Sequence, residues 1–393
     1  ALGLMLIWIL PYLGSAWCAL IALISILMAF GGSWLLFTEQ NALVDPVYFA
    51  LVILLVYLAQ SLRMYLSSEQ ERKTVRDAFG RYLSPALVEQ LAEEPDRLTL
   101  GGEMREMSIL FCDIRGFTAV SERHSPEDLT RLINRFLTPL TQVILDRSGT
   151  IDKYMGDCIM AFWNAPVDIP DHALKACQSA LAMMNALEQL NNELSEEAAK
   201  SFALQKNETG GGISLHRGKL HGTTTELLRV GVGINTGTAC VGNLGSEQRF
   251  DYSALGDSVN LASRLEGQSK TYGVDILLAE ETYAAANQLA AVELDLVQVV
   301  GKTEPVRIFA LIGDETVKDS TGFDRLIRLQ NDMLGAYRER QWDNALEIIR
   351  QLRNDAAAIS MTRYYDMFDE RVTEFMATPP DSDWDGVERR LVK

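Results

Sequence analysis

Two aspartates carry the clearest chemical suggestion in this sequence. Asp113 closes the apolar run Met107–Cys112, and Asp157 ends the turn Met155-Gly156-Asp157 between two further apolar runs, Thr150–Tyr154 and Cys158–Trp163. If those runs are neighbouring strands, both carboxylates meet at one end of a sheet. Two such anions repel each other unless a cation neutralises them, and hard oxygen donors select Mg²⁺ or Mn²⁺. Behind Asp113 comes Ile114-Arg115-Gly116-Phe117-Thr118, where Gly116 frees the backbone so that successive amides can face a polyphosphate. The same spacing also suits aspartates that cap strands and form turns, and the residues alone leave that reading open. Other nucleotide signatures are missing. No GxxxxGK phosphate loop occurs, and Gly231-Val232-Gly233-Ile234-Asn235-Thr236 lacks the third glycine of a dinucleotide fingerprint.

The remaining reactive side chains point to no second chemistry. Cys18, Cys112, Cys158, Cys177 and Cys240 show no paired spacing, which reads as free thiols in a reducing compartment. His216 and His221 share a Gly-rich polar stretch that suits a solvated loop better than a metal pair.

Strand and helix signals alternate around the two aspartates. Ser125 caps a helix over Pro126–Arg147 whose Leu129, Leu132, Ile133, Phe136, Leu137, Leu140, Val143 and Ile144 share one face. A second amphipathic helix spans Asp171–Leu190, and the polar residues 191–227 read as a flexible insertion. Strand character resumes at Leu228–Asn235, Ala239–Gly242 and Tyr252–Leu255. A helix follows at Ser258–Lys270, then strands at Val274–Ala279, Val292–Val300 and Val306–Ile312. The order β-α-β-β-α-β with additional strands predicts an α+β, ferredoxin-like sheet carrying helices on one face.

Charge is unevenly spread over the 393 residues. The chain holds 36 Lys and Arg against 53 Asp and Glu, a net charge of -17 that repels phosphate backbones and excludes a nucleic-acid partner. Residues 1–66, however, contain only Glu39, Asp45 and Arg63 as charged groups. Pro11 and Gly14 interrupt this apolar stretch, giving the end of one span at Ala1–Leu13, a second at Ser15–Phe37 and a third at Val47–Leu66 in a lipid bilayer. Arg63, Arg72, Lys73, Arg76 and Arg81 follow the last span, whereas Thr38–Pro46 has no basic residue, which places the soluble part in the cytoplasm. With no initiating Met and no basic leader, the first span reads as truncated rather than as a signal peptide. Val75, Ala78, Phe79, Tyr82 and Leu83 then form a short apolar stripe, followed by a helix from Ser84 through Glu93. Hence 1–66 is read as membrane helices, 67–100 as a linking helix, 101–313 as the catalytic domain and 314–393 as a helical extension. Within that extension, Tyr337–Leu346 is faintly similar to a tetratricopeptide unit and is expected to pack as a helical hairpin, with a loosely ordered tail from Pro379.

The run Phe111-Cys112-Asp113-Ile114-Arg115-Gly116-Phe117-Thr118 resembles the first metal motif of class III nucleotidyl cyclases, and Gly149-Thr150-Ile151-Asp152-Lys153-Tyr154-Met155-Gly156-Asp157 resembles the second. Gly233-Ile234-Asn235-Thr236-Gly237 and Val241-Gly242-Asn243-Leu244-Gly245 match the strand pair that follows. Tyr252–Arg264 matches the family's transition-state helix. These motifs are ordered and run from Phe111 to Arg264. The resemblance implies that Asp113 and Asp157, with the backbone of Ile114, hold two Mg²⁺ or Mn²⁺ ions per site. It implies that Ile114, Gly116, Phe117 and Thr118 cradle the triphosphate, that Lys153 reads the purine with Ser253 as partner, and that Lys302 contacts the terminal phosphates. Asn260 would orient the ribose and Arg264 would stabilise the pentavalent phosphorus. Ser253 departs from the Asp of many adenylyl cyclases and is closer to a subgroup with Thr or Ser. Lys153 favours ATP, because guanylyl cyclases of this family usually carry Glu there and a lysine donates to adenine N1. The resemblance further implies a homodimer with its sites between chains. Phe79–Pro85 resembles the transducing segment of membrane-anchored bacterial cyclases, which implies a CHASE-type sensor upstream that this chain lacks. Two rival readings are a guanylyl cyclase and a silent receptor or scaffold that keeps the cyclase fold only to dimerise.

Overall fold

A computed structural model describes residues 15–41, 44–80, 88, 101–208, 227–246, 249–298, 304–355 and 361–389, which fall into two compact units. The N-terminal unit is a helical hairpin of α1 (Ser15–Gln40) and α2 (Val47–Phe79). Within α1, Ala19–Glu39 has a mean hydropathy of 2.2 with side chains such as Leu23, Leu27 and Trp34 exposed, and among the described residues it is the one helix long and apolar enough to cross a bilayer. The apolar part of α2, Val47–Arg63, is 17 residues long, so at 1.5 Å per residue it reaches about 26 Å against a hydrocarbon core of about 30 Å. Beyond Arg63 the helix continues without a break through the polar residues to Phe79. The expected first span and the segment 81–87 lie outside the described residues.

The second unit is built on one sheet. Its elements are β1 (Gly101–Ile114), α3 (Phe117–Arg123), α4 (Pro126–Asp146), β2 (Thr150–Met155), β3 (Cys158–Trp163), α5 (His172–Glu208), β4 (Val230–Ser246), β5 (Arg249–Leu255), α6 (Asp257–Tyr272), β6 (Ile276–Ala279), α7 (Glu280–Ala285), β7 (Ala290–Gln298) and β8 (Val306–Gly313). Strands β2, β3, β1 and β4 lie side by side in that order, each antiparallel to its neighbour, with α4 and α5 in the crossovers; this is the ferredoxin-like arrangement. β6 extends it parallel to β4, and β8 and β7 follow. The Ser125 hydroxyl accepts from the Asp128 amide at 3.1 Å, capping α4 as expected. β1 and β4 are longer than their apolar runs suggest, because their polar ends pair with each other from Gly101↔Asn243 to Ile114↔Val230.

Alternation along β1 decides what each face meets. Leu110, Cys112 and Ile114 join Phe136, Leu140 and Ile144 of α4 and Ala176, Cys177 and Ala180 of α5. Met107, Ile109 and Phe111 instead face Ala254 of β5 and Val259 and Ala262 of α6. Helices therefore lie on both faces, not on one. The glycines of β4 explain the difference: α6 packs its backbone directly on Gly233, where a Cβ would stand 2.2 Å from the Glu266 amide and 2.3 Å from the Ala262 carbonyl. Neither backbone atom can give way as a side chain could. Gly233→Ala should therefore cost about 1–3 kcal/mol or more and lower the thermal midpoint. An unfolding temperature equal to the parent's would mean that α6 lifts off β4 freely.

Two expectations about the irregular parts change. Residues 191–208 continue α5 rather than opening a flexible insertion, while 209–226 lie outside the described residues. Leu194 still packs on the core, Arg135 of α4 clasps Glu197 at 2.7 and 2.9 Å, and the Asn191 amide brackets the backbone of Leu228 at 2.8 and 2.9 Å. The C-terminal extension follows the short turn α8 (Glu315–Lys318): α9 (Thr321–Arg338) and α10 (Trp342–Arg353) pack on each other as the expected hairpin, and α11 (Thr362–Ala377) adds a third helix. They share a core with β7, β8 and α6. Beneath them, Asp295 of β7 accepts from the Tyr272 hydroxyl at 2.8 Å and from Arg371 at 2.7 Å. Losing one partner of such a buried pair strands the other charge, typically at about 3–5 kcal/mol. The tail, expected to be loosely ordered, is ordered as far as Arg389. Trp384 packs on Tyr337, Trp342 and Phe375, Arg340 donates to the carbonyls of Asp381 and Ser382, and β9 (Glu388–Arg389) pairs parallel with β7.

Candidate active site

At the open end of β1, Asp113 points to the α6 side of the sheet while its neighbours Cys112 and Ile114 are buried beneath α4 and α5. The β2–β3 turn carries Asp157 to the same place, where its carboxylate accepts from the Ile114 amide at 3.3 Å. Burial pushes Asp113 up to about 7, and the charge of Asp157 beside it adds to the shift. Glu266 of α6 is likewise held up at about 7, by burial first and then by the charge of Asp113. The donor set suits a hard divalent cation, which would relieve the crowding of negative charge. Among the described residues no cluster of three or more His, Cys, Asp or Glu forms a complete metal cage. A two-carboxylate platform is what Mg²⁺ commonly uses when substrate phosphates and water complete its shell.

Gly116 adopts φ 72°, which favours glycine, and starts α3, so Phe117 and Thr118 are first-turn residues with amides free of helical acceptors. The Ile114 amide donates to Asp157 and the Arg115 amide to the Arg229 carbonyl at 2.8 Å, so of the cradle read over Ile114–Thr118 only the amides from Gly116 onward remain open. Arg115 points elsewhere: its guanidinium donates to the Val274 carbonyl and lies 3.2 Å from Asp275, fixing the loop to the lead-in of β6. Burial also keeps the nearby thiols protonated, with Cys158 pushed up to about 12 and Cys112 well above its usual value.

Lys153 and Ser253, one hundred positions apart, are brought together. The Lys153 ammonium donates to the Ser253 hydroxyl at 3.2 Å. Between them sits Asp152, a buried acid that spacing did not single out. It accepts from the Ser253 hydroxyl at 2.7 Å and the Ala254 amide at 3.3 Å, and Lys153 lies 3.1 Å from its other oxygen. Adjacent strand residues ordinarily point to opposite faces. A register shift between Ile151 and Lys153 lets both Asp152 and Lys153 reach β5.

Asn260 and Arg264 lie four residues apart on α6 and so share one face. Asn260 is exposed, and the Arg264 Nη1 is buried with no hydrogen-bond partner among the described residues. Glu266, which senses Asp113, is about 200° around the helix from Arg264 at 100° per residue. Within one chain, Arg264 therefore faces away from the aspartate pair. Lys302 lies outside the described residues, as do His216 and His221.

A β1–β4 ferredoxin-like core, paired aspartates at its end and an Asn-Arg helix face together define a nucleotidyl cyclase domain. Residues 102–313 match the family described as the adenylate and guanylate cyclase catalytic domain, and the chain belongs to it. An adenylate cyclase of Anabaena cylindrica is 32% identical over 256 residues, covering 63% of this chain and 45% of that protein. Adenylate cyclase 1 of Rhizobium meliloti (strain 1021) is 31% identical over 242 residues, covering 61% and 32%. This chain thus spans less than half the length of those curated relatives. The crystal structure of the adenylyl cyclase CyaB from P. aeruginosa covers 55% of this chain and 97% of its own, at 31% identity and a TM-score of 0.44.

Proposed function

We propose that this chain is a membrane-anchored adenylyl cyclase, converting ATP to cyclic AMP and pyrophosphate at sites formed between two copies. The observation that carries the choice of ATP is the meeting of Lys153 and Ser253 at 3.2 Å. A lysine ammonium only donates, which suits adenine N1 and not the N1–H of guanine. In this reading Asp113, Asp157 and the backbone of Ile114 hold the divalent cations, which when bound supply acidity at the ribose 3′-hydroxyl and offset charge on the leaving pyrophosphate. Amides from Gly116 to Thr118 hold the triphosphate, and Lys302 contacts its terminal end. Asn260 positions the ribose for in-line attack on the α-phosphate, and Arg264 donates to the phosphoryl oxygens as their charge grows. The opposed directions of Arg264 and the aspartate pair support a two-fold homodimer in which each site draws on both chains.

In this reading the apolar α1 and the first half of α2 form the anchor, and the basic residues from Arg63 onward support a catalytic domain on the cytoplasmic side. Product analysis with ATP and GTP tests the assignment directly, and formation of neither cyclic nucleotide would favour a silent scaffold. Exchange of the base readers tests it more finely. Lys153→Glu combined with Ser253→Cys should lower the ATP-to-GTP ratio of kcat/KM at least about tenfold, since discrimination rests on hydrogen bonds to the base edge. An unchanged ratio would move purine reading to other residues.

A further inference from the structure

We infer that Asp152 sets the hydrogen-bond polarity of the Lys153–Ser253 pair and is thereby a specificity-determining positioning residue for adenine. The inference rests on the adenylyl cyclase reading and deepens it. A serine hydroxyl by itself both donates and accepts, so it serves an amino group or a carbonyl oxygen equally well. Ser253 is not left that freedom. The Asp152 side chain is fully enclosed, and its carboxylate, having no hydrogen to give, takes the Ser253 hydroxyl hydrogen at 2.7 Å. The Ala254 amide, at 3.3 Å from the same oxygen, holds that carboxylate in place.

Counting the remaining groups fixes what the pair offers a ligand. Ser253 Oγ has two lone pairs, one of which accepts from Lys153 at 3.2 Å, leaving one acceptor. Lys153 has three donors. One goes to Ser253, and the ammonium is held 3.1 Å from Asp152 Oδ1 as an ion pair, so donor hydrogens remain for a ligand. The pair thus presents ammonium donors beside one acceptor. Adenine shows the complement, with the N1 acceptor beside the N6 amino donor. Guanine shows the reverse, with the N1–H donor beside the O6 acceptor. Without Asp152, the hydroxyl could turn and donate to O6, and the lysine would lose one of its two anchors.

The experiment compares the full chain with Asp152→Ala, Ser253→Ala and the double variant, using ATP, GTP and purine riboside triphosphate, which lacks the N6 amino group. The parent should prefer ATP over purine riboside triphosphate in kcat/KM. Asp152→Ala should shrink both that preference and the preference over GTP at least about tenfold, the loss expected when a buried polar group goes unpaired. Adding Asp152→Ala to Ser253→Ala should change the preference over purine riboside triphosphate no further. A purely structural Asp152 would lower all three substrates together, and unchanged ratios in Asp152→Ala overturn the inference. Should Asp152→Ala fail to fold, Ser253→Ala alone is decisive: keeping the preference for the N6 amino group would show that Ser253 is not its acceptor. A parent that turns over neither ATP nor GTP overturns the cyclase reading itself, an outcome distinct from an active parent with unaltered ratios.

Discussion

Asp113→Ala and Arg264→Ala chains are each expected to be nearly inactive alone and to recover about one quarter of the parent rate when co-expressed, if sites form between two copies. The reason lies in α6. Glu266 turns toward Asp113, so Arg264, about 200° around the helix, turns away from the carboxylates of its own chain. In the proposed mechanism, Arg264 must then reach the aspartate pair of a partner. In a mixed dimer one site collects both defects and the other collects neither. Random pairing makes half the dimers mixed, each with half its sites intact. Mixed dimers demonstrated by orthogonal tags that remain as inactive as either variant alone would sink the shared-site reading.

Asp157→Asn should lower turnover at least about a hundredfold, since an amide binds a hard cation weakly and a bound metal is worth several kcal/mol of charge stabilisation. The fold should survive, because the amide oxygen can still accept from Ile114, as the carboxylate does at 3.3 Å. Circular dichroism and the thermal midpoint check the second half of this expectation, and cyclic AMP formation across Mg²⁺ and Mn²⁺ concentrations checks the first. Near-parental activity at saturating Mn²⁺ would remove Asp157 from the metal site.

The linear chain determined the elements and their chemistry where local pattern suffices. The apolar run ending in Asp113, the turn carrying Asp157 and the cap at Ser125 each follow from a few neighbouring residues. So does the apolar character of α1. The order of strand and helix signals likewise implied the ferredoxin-like core, because few topologies close such an order into a sheet.

Tertiary structure decided what depends on residues far apart or on departures from regular geometry. A polar stretch reads as a loop, yet Asn191 and Arg135 bind it into α5 through partners that local pattern cannot reveal. The tail reads as unstructured for want of periodicity, yet Trp384 and Arg340 anchor it across the extension. Period-two alternation would send Asp152 and Lys153 to opposite faces. One irregularity in the β2–β3 register turns both toward Ser253, and it is that irregularity, invisible in hydrophobic pattern, that assembles the Asp152–Lys153–Ser253 cluster.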